Sequence, residues 1–172
     1  MGRQTNSRKR QAITKQKRYT VGIVSGSLDG TTGRIVVGIA EEIRALRLPV
    51  ILLAMCFPTP RDALTDRAAK VFDSHINLSP HNKSQGMHRI LEAAPDVLIF
   101  VDAALDSRVF TLAHERLALV QAALWGWGGT LGIPTIDYYF IPEPLISRAR
   151  CPMPMRYENI LGKPQQFFAE QV

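Results

Sequence analysis

The sequence predicts an α/β fold, an open and mainly parallel sheet wound on both faces by helices. Three observations predict it. From Tyr19 onward, strand-like and helix-like segments alternate through short loops, the order expected when each strand returns parallel through a crossover helix. Two segments, residues 49–57 (PVILLAMCF) and 97–102 (VLIFVD), are continuous apolar runs of strand length, as suits strands buried on both faces. The 172 residues are 46% hydrophobic, enough for one ordinary domain with its own core.

Each element has a local reason. Residues 19–25 (YTVGIVS) are β-rich and run into a polar loop, residues 25–33 (SGSLDGTTG), with glycines at 26, 30 and 33. Thr31 or Thr32 is expected to cap the following helix. There Ile35, Ile39, Ile43 and Leu46 recur at helical spacing, with Glu41, Glu42 and Arg44 on other faces. Pro49 ends that helix and opens the first apolar run. After Pro58 and Pro60, residues 61–71 read as a short helix and residues 75–79 as a weak strand. Residues 83–94 form a helix with Met87, Ile90 and Leu91 inward, and Pro95-Asp96 turns the chain into the second apolar run. A helix over about 107–117 leads to the stretch RLALVQAALWGWGGTLGIPTIDYYF, residues 116–140. This holds a strand, a loop with four glycines in seven residues from Gly126 to Gly132, and another strand. Residues 19–142 are thus expected to form a Rossmann-like, doubly wound unit.

The flanks differ in composition. Residues 1–20 carry seven bases and no acid, and the other 152 carry 14 bases and 15 acids, net −1. The net charge of +6 therefore belongs to a tail, residues 1–18, expected to be disordered. Such a tail suits a solubilising linker, a nuclear address, a nucleic-acid arm or a presequence. Five prolines between Pro142 and Pro164 make residues 143–172 a connector. No stretch has the roughly 18 apolar residues of a membrane helix, and no signal-peptide pattern is present. Cys56 and Cys151 are unclustered and suit reduced thiols. A cytoplasmic or nuclear protein is the expectation, without a membrane partner.

Several residues are candidates for chemistry. Asp102 ends a buried strand at its carboxyl edge, where ligands of open α/β sheets bind; it serves equally well as a cap or loop anchor. Asp137 more simply bonds a neighbouring loop backbone. Ser25, Gly26, Asp29, Thr31 and Thr32 lie in a loop that opens a helix N-terminus, a weak anion cradle lacking both GxGxxG spacing and a Walker lysine. A loop so poor in side chains offers backbone recognition instead, and Trp125, Gly126, Trp127, Gly128, Gly129 and Thr130 let a ligand reach main-chain N–H groups. The two tryptophans suit a core, an interface or a sugar platform. The four histidines lack metal spacing, the cysteines have no ligand partner, and no GxSxG nucleophile occurs; no metal is expected.

Residues 116–140 resemble the signature of the protein O-GlcNAc transferase and SPINDLY-like family, approximately R-x-A-P-(V/I)-Q-x-x-x-x-G-(Y/H)-P-G-T-(T/S)-G-x-x-x-(I/M)-D-Y. Arg116, Ala118, Val120, Gln121, Gly126, Gly129, Thr130, Gly132, Ile136, Asp137 and Tyr138 match in one register over 23 positions. Upstream, VGIVSGSLDGTTG and PDVLIFVDA resemble the family's first strand and loop and its later buried strand, so the likeness spans about residues 20–143. The resemblance implies one lobe of a two-lobe GT-B fold, the acceptor-side lobe of an enzyme that moves a sugar from UDP-N-acetylglucosamine or a related UDP-sugar to serine or threonine of a protein. It implies a donor cleft at Trp125–Thr130, an acceptor border at Ser25–Thr32, and supporting roles for Gln121, Asp102 and Asp137. The chain departs from the pattern in three places. The loop after the first strand has no histidine, Leu119 replaces a proline, and Gly128 replaces another. With the donor-binding lobe absent and no catalytic base to name, the chain is expected to be inactive alone, needing that second lobe or self-association. The alternative is a non-catalytic binding or scaffold protein, with nucleic-acid contact only through the tail.

Overall fold

The computed structural model describes residues 18–124 and 131–140. The tail, the Trp125–Thr130 run and the proline-rich connector lie outside these residues. The element order is β1 (Tyr19–Ser25), α1 (Gly30–Ala45), β2 (Val50–Cys56), α2 (Ala63–Val71), β3 (Ser74–Asn77), α3 (Lys83–Ala93), β4 (Val97–Phe100), α4 (Ser107–Ala113), β5 (Val120–Leu124) and β6 (Tyr138–Phe140). The six strands form one sheet in the order β3-β2-β1-β4-β5-β6, every pair parallel. This is a Rossmann-like fold.

Apolar burial decides the layering. On one face Val36, Val37 and Ala40 of α1 and Ala68 of α2 pack with Ile23, Leu52, Ala54 and Ile99. On the other, Ile90 of α3 and Val109 and Leu112 of α4 pack with Val24, Met55, Leu98 and Phe100. Alternate residues of β1, β2 and β4 thus feed opposite cores, and the continuous apolar runs are the consequence. The chain builds outward from β1 to β3, then jumps back to β4 beside β1. The winding reverses between β1 and β4, and ligands of such sheets bind outside the carboxyl ends at that point.

Local details correct several expectations. Neither Thr31 nor Thr32 caps α1. The N-cap is Asp29, without a side-chain cap bond, and both threonines lie in the first helical turn rather than the loop. The stripe of α1 holds in part: Ile39 and Ile43 pack against the core, but Ile35 is exposed and Leu46 is 67% exposed, and the fully buried positions are Gly33, Val36, Val37 and Ala40. Small residues at 33 and 40 admit the close approach, and a Cβ on Gly33 would overlap the Leu28 main chain. Leu91 points outward, 52% exposed. The helix expected over 107–117 stops at Ala113, because the carboxamide of Gln121 takes the N–H groups of Leu117 and Ala118 in place of helical carbonyls. At α2 the capping box is formed, with Asp62 accepting from Leu64 and Thr65 and the Thr65 hydroxyl accepting from the Asp62 N–H.

Candidate functional site

All loops that follow parallel strands leave one edge of the sheet, so the segments after β1, β2, β3 and β4 converge there. At the β1/β4 reversal the chain fills the crevice with its own carboxylate. Asp102 is buried, and its oxygens accept the Gly26 N–H at 3.1 and 2.9 Å and the Ser25 hydroxyl at 3.3 Å. Ser25 also donates to the Ser27 carbonyl at 2.7 Å. Burial raises the pKa of Asp102 above the ordinary carboxylate value, assisted by the Asp106 charge and opposed by the Gly26 N–H and the Ser25 hydroxyl. The sequence left Asp102 open between ligand site and cap. It does not cap α4; Asp106 does, accepting from the Arg108 and Val109 N–H groups.

Asp106 also receives the Arg108 guanidinium at 2.5 Å, which with the N-cap bonds holds its pKa down against burial. Arg108 lies over the Phe57 ring, 4.1 Å from its centroid, and donates to the Gly26 carbonyl at 3.4 Å. Gly26 has no room for a side chain, because a Cβ would run into the carboxylates of Asp106 and Asp102. The Gly26 N–H, the natural anion donor of such a loop, is thus already engaged. Asp29 sits exposed at the α1 N-cap, and Thr31 and Thr32 begin the helix behind it.

A second constellation lies at the amino ends of β5 and β6, the strands that the glycine run connects. Arg116 donates to both oxygens of Asp137, at 2.6 and 3.0 Å. Asp137 also accepts the Gln121 N–H at 2.8 Å, and its own N–H bonds the Gln121 carbonyl at 2.8 Å. Burial works to raise the Asp137 pKa, but Arg116 and the Gln121 N–H outweigh it and hold it below the ordinary value. The fully buried Gln121 side chain accepts from Leu117 and Ala118 and donates to the carbonyls of Glu115 and Thr135. The Tyr139 hydroxyl nearby is buried without a well-formed hydrogen bond among the described residues. Burial raises its pKa, against the approach of the Ile133 and Leu131 main chain. The amino ends of β5 and β6 are therefore fixed to each other, at the edge of the sheet opposite to the one from which β5 runs into residues 125–130. Trp125, Gly126, Trp127, Gly128, Gly129 and Thr130 themselves lie outside the described residues.

A feature missed by the sequence reading is a solvent-open cleft of about 270 Å³ between α3 and α4. Phe57, Gly86 and Leu112 form its apolar floor, and Ser79, His81, Lys83, Ser107, Arg108 and Thr111 bring polar groups to it. Its residues come from three separate segments, which no local motif joins. Lys83 pairs with Glu115 at 2.6 Å on the surface. Among the described residues, no group of three or more His, Cys, Asp or Glu is placed to hold a metal, and no helix is long and apolar enough to cross a membrane. Burial pushes the Cys56 thiol up to about 11, which leaves it protonated and inert near neutral pH.

No family model matches the chain, and none of the curated proteins matches it. Among the solved structures that do match is a point mutant of the O-GlcNAc transferase from Thermobaculum terrenum, with a TM-score of 0.63 and 22% identity. The match covers 72% of this chain and 24% of that one. The likeness is one of fold, and the chain spans about a quarter of that neighbour's length.

Proposed function

We propose that the chain is the acceptor-side lobe of a UDP-sugar-dependent protein O-glycosyltransferase. The observation that carries this reading is the bonding of Arg116, Gln121 and Asp137 into one unit at the amino ends of β5 and β6, the two parallel strands that the glycine run connects. These three residues belong to the matched signature, and the segment from Arg116 to Asp137, 21 positions apart in the chain, is closed into a loop by their ion pair. A signature match alone could be a coincidence of composition; here its polar members also have a mutual geometric role. The fold shared with the transferase supports the same reading.

The occupied crevice argues for the acceptor side. A diphosphate needs free N–H groups at the strand–helix turn, and Asp102 holds that of Gly26 while adding negative charge. Binding of UDP is therefore assigned to a second lobe. The Trp125–Thr130 run would form this lobe's wall of the sugar cleft, Ser25 to Thr32 would border a serine or threonine of the acceptor, and no residue is assigned as general base. Catalysis would come from positioning and electrostatic stabilisation across the cleft, without a metal.

Both tryptophans of the chain lie in the glycine run, so intrinsic fluorescence reports on it alone. Titration with serine- and threonine-containing peptides is expected to change the emission. UDP-N-acetylglucosamine alone is expected to change it little, and the chain alone to transfer no sugar. Tight UDP binding by the isolated chain would overturn the acceptor-side assignment, and indifference to every ligand would overturn the lobe reading and leave the scaffold alternative.

A further inference from the structure

We infer that the cleft between α3 and α4 binds an oxyanionic side chain, a carboxylate or phosphate, of a peptide segment; this deepens the proposed acceptor-side role and rests on it. Three observations converge on the cleft.

The first is charge. Lys83, Arg108 and His81 line the cleft, and no Asp or Glu does so among the described residues. The acids that pair with the two permanent cations leave donors to spare. Arg108 engages Asp106 through Nε and Nη2, and its Nη1 has no hydrogen bond among the described residues. The Lys83–Glu115 pair is on the surface, with side chains about 40% exposed. Such pairs contribute little, so the ammonium can turn to an incoming anion at small cost. Arg108 is held in place by Asp106 and by the Phe57 ring, so its remaining Nη1 is a preorganised, charged donor for one oxygen of an incoming anion.

The second observation is Gly86. It lies inside α3, where glycine is less favourable than alanine by roughly 0.5–1 kcal/mol. Sterics do not demand it: a Cβ there would make only ordinary contact, 3.8 Å from Leu112 Cδ2. What its absent side chain provides is the depth of the cleft floor.

The third is size and place. About 270 Å³ falls just below the range of whole-ligand pockets, roughly 300–1,000 Å³, and suits one side chain reaching in from a longer segment. The cleft opens at the carboxyl edge of the sheet, the edge from which the glycine run also departs after β5. A polypeptide lying along this edge can place an acidic side chain between α3 and α4 while another part meets the glycine run.

The test uses the full chain and fluorescein-labelled peptides alike except for one residue: glutamate, phosphoserine or glutamine. The glutamate peptide is expected to bind about tenfold more tightly than the glutamine peptide, the factor a charge-assisted hydrogen bond supplies. The preference should weaken with salt. Phosphoserine against glutamate tells which oxyanion fits better. Lys83→Gln should reduce the preference and Gly86→Leu should abolish it by filling the floor, whereas Arg34→Gln on the opposite helical layer should change neither. Circular dichroism confirms that each variant is folded. Equal binding of all three peptides, no binding, or a preference untouched by Gly86→Leu overturns the inference. Tryptophan emission separates the two ideas. Peptide-induced emission change without acidic preference sinks the cleft and spares the lobe reading, and acidic preference without emission change does the reverse.

Discussion

Asp102 offers the sharpest test of how this sheet edge is built. Asp102→Ala removes both acceptors of the Gly26 N–H, bonds of 3.1 and 2.9 Å, and leaves a buried backbone donor without a partner. That costs about 1–3 kcal/mol. The Ser25 hydroxyl loses little, because it still donates to the Ser27 carbonyl at 2.7 Å. Asp102→Asn keeps an oxygen for Gly26 and removes a charge that burial and Asp106 both disfavour. It is expected to be no less stable than the parent at pH 7, within about 1 kcal/mol. The pH dependence follows from the sign of the shift. Folding raises the Asp102 pKa above its ordinary 3.8, so between those two values the folded chain binds more protons than the unfolded one. The stability contribution of Asp102 is therefore greatest below 3.8 and declines as pH rises through the folded value. The advantage of Asp102→Asn over the parent should grow from about pH 4 upward and then level off. Urea unfolding of the three proteins at a series of pH values reads this directly. If asparagine proves as damaging as alanine, with a loss that grows as pH rises, then the ionised carboxylate is itself a favourable element and the argument from burial is wrong.

The remaining predictions concern the frame and the glycines. Gln121→Leu keeps the volume but strips partners from the Leu117 and Ala118 N–H groups and the Glu115 and Thr135 carbonyls; urea unfolding should show a loss of at least ~2 kcal/mol. Gly33→Ala should cost toward the upper end of ~1–3 kcal/mol, because the new methyl meets Leu28 main chain that cannot swing aside. Gly86→Ala should instead gain roughly 0.5–1 kcal/mol, and equal effects at the two helix glycines, by thermal unfolding, would contradict the geometry. Asp137 has a lowered pKa, so its contribution is present above the ordinary 3.8 and is lost as pH falls through the lower folded value. Asp137→Asn should flatten acid unfolding in that range while keeping an acceptor for the Gln121 N–H, which a parallel acid titration of both proteins measures.

The alternation of strands and helices was legible because it is written in apolar period and turn residues. The two runs at 49–57 and 97–102 became β2 and β4, at the centre of the sheet. The inward face of α1 was legible only in part. Ile39 and Ile43 of the expected stripe do pack against the core, but Val36, Val37 and Ala40 are its fully buried residues and Ile35 and Leu46 are exposed, a rotation that goes with the fit of Gly33 against the Leu28 main chain five residues earlier. The end of α4 was hidden for a similar reason, since the group that stops it is the side chain of Gln121, on the next strand. Glycine-rich loops and strand-terminal acids mark a candidate edge from sequence, but the partner of Asp102 lies 76 residues away. The α3–α4 cleft draws on three segments that meet only in the fold.

The filled crevice and the open cleft have one cause. The reversal of winding between β1 and β4 leaves a gap at the carboxyl edge that water or a ligand would otherwise occupy. Asp102 closes it from β4, and Asp106, one helical turn on, carries Arg108 outward over Phe57. The same short segment thus removes an anion donor from the sheet edge, the Gly26 N–H, and sets a cation beside α3. On the inference drawn above, recognition of negative charge is displaced from the strand–helix turn, where a nucleotide phosphate would sit, to a shallow side-chain cleft on the flank. A lobe built this way is poorly suited to hold a diphosphate and well suited to meet a polypeptide. On this argument Asp106→Ala should impair both properties together, loosening Arg108 and the turn at Gly26, and should weaken acidic-peptide binding even though it removes a negative charge from the neighbourhood. Simple electrostatics predicts the opposite, tighter binding. Anisotropy titrations of the glutamate peptide against the two proteins distinguish them, and tighter binding by Asp106→Ala would refute the view that Asp106 acts by holding Arg108 in place.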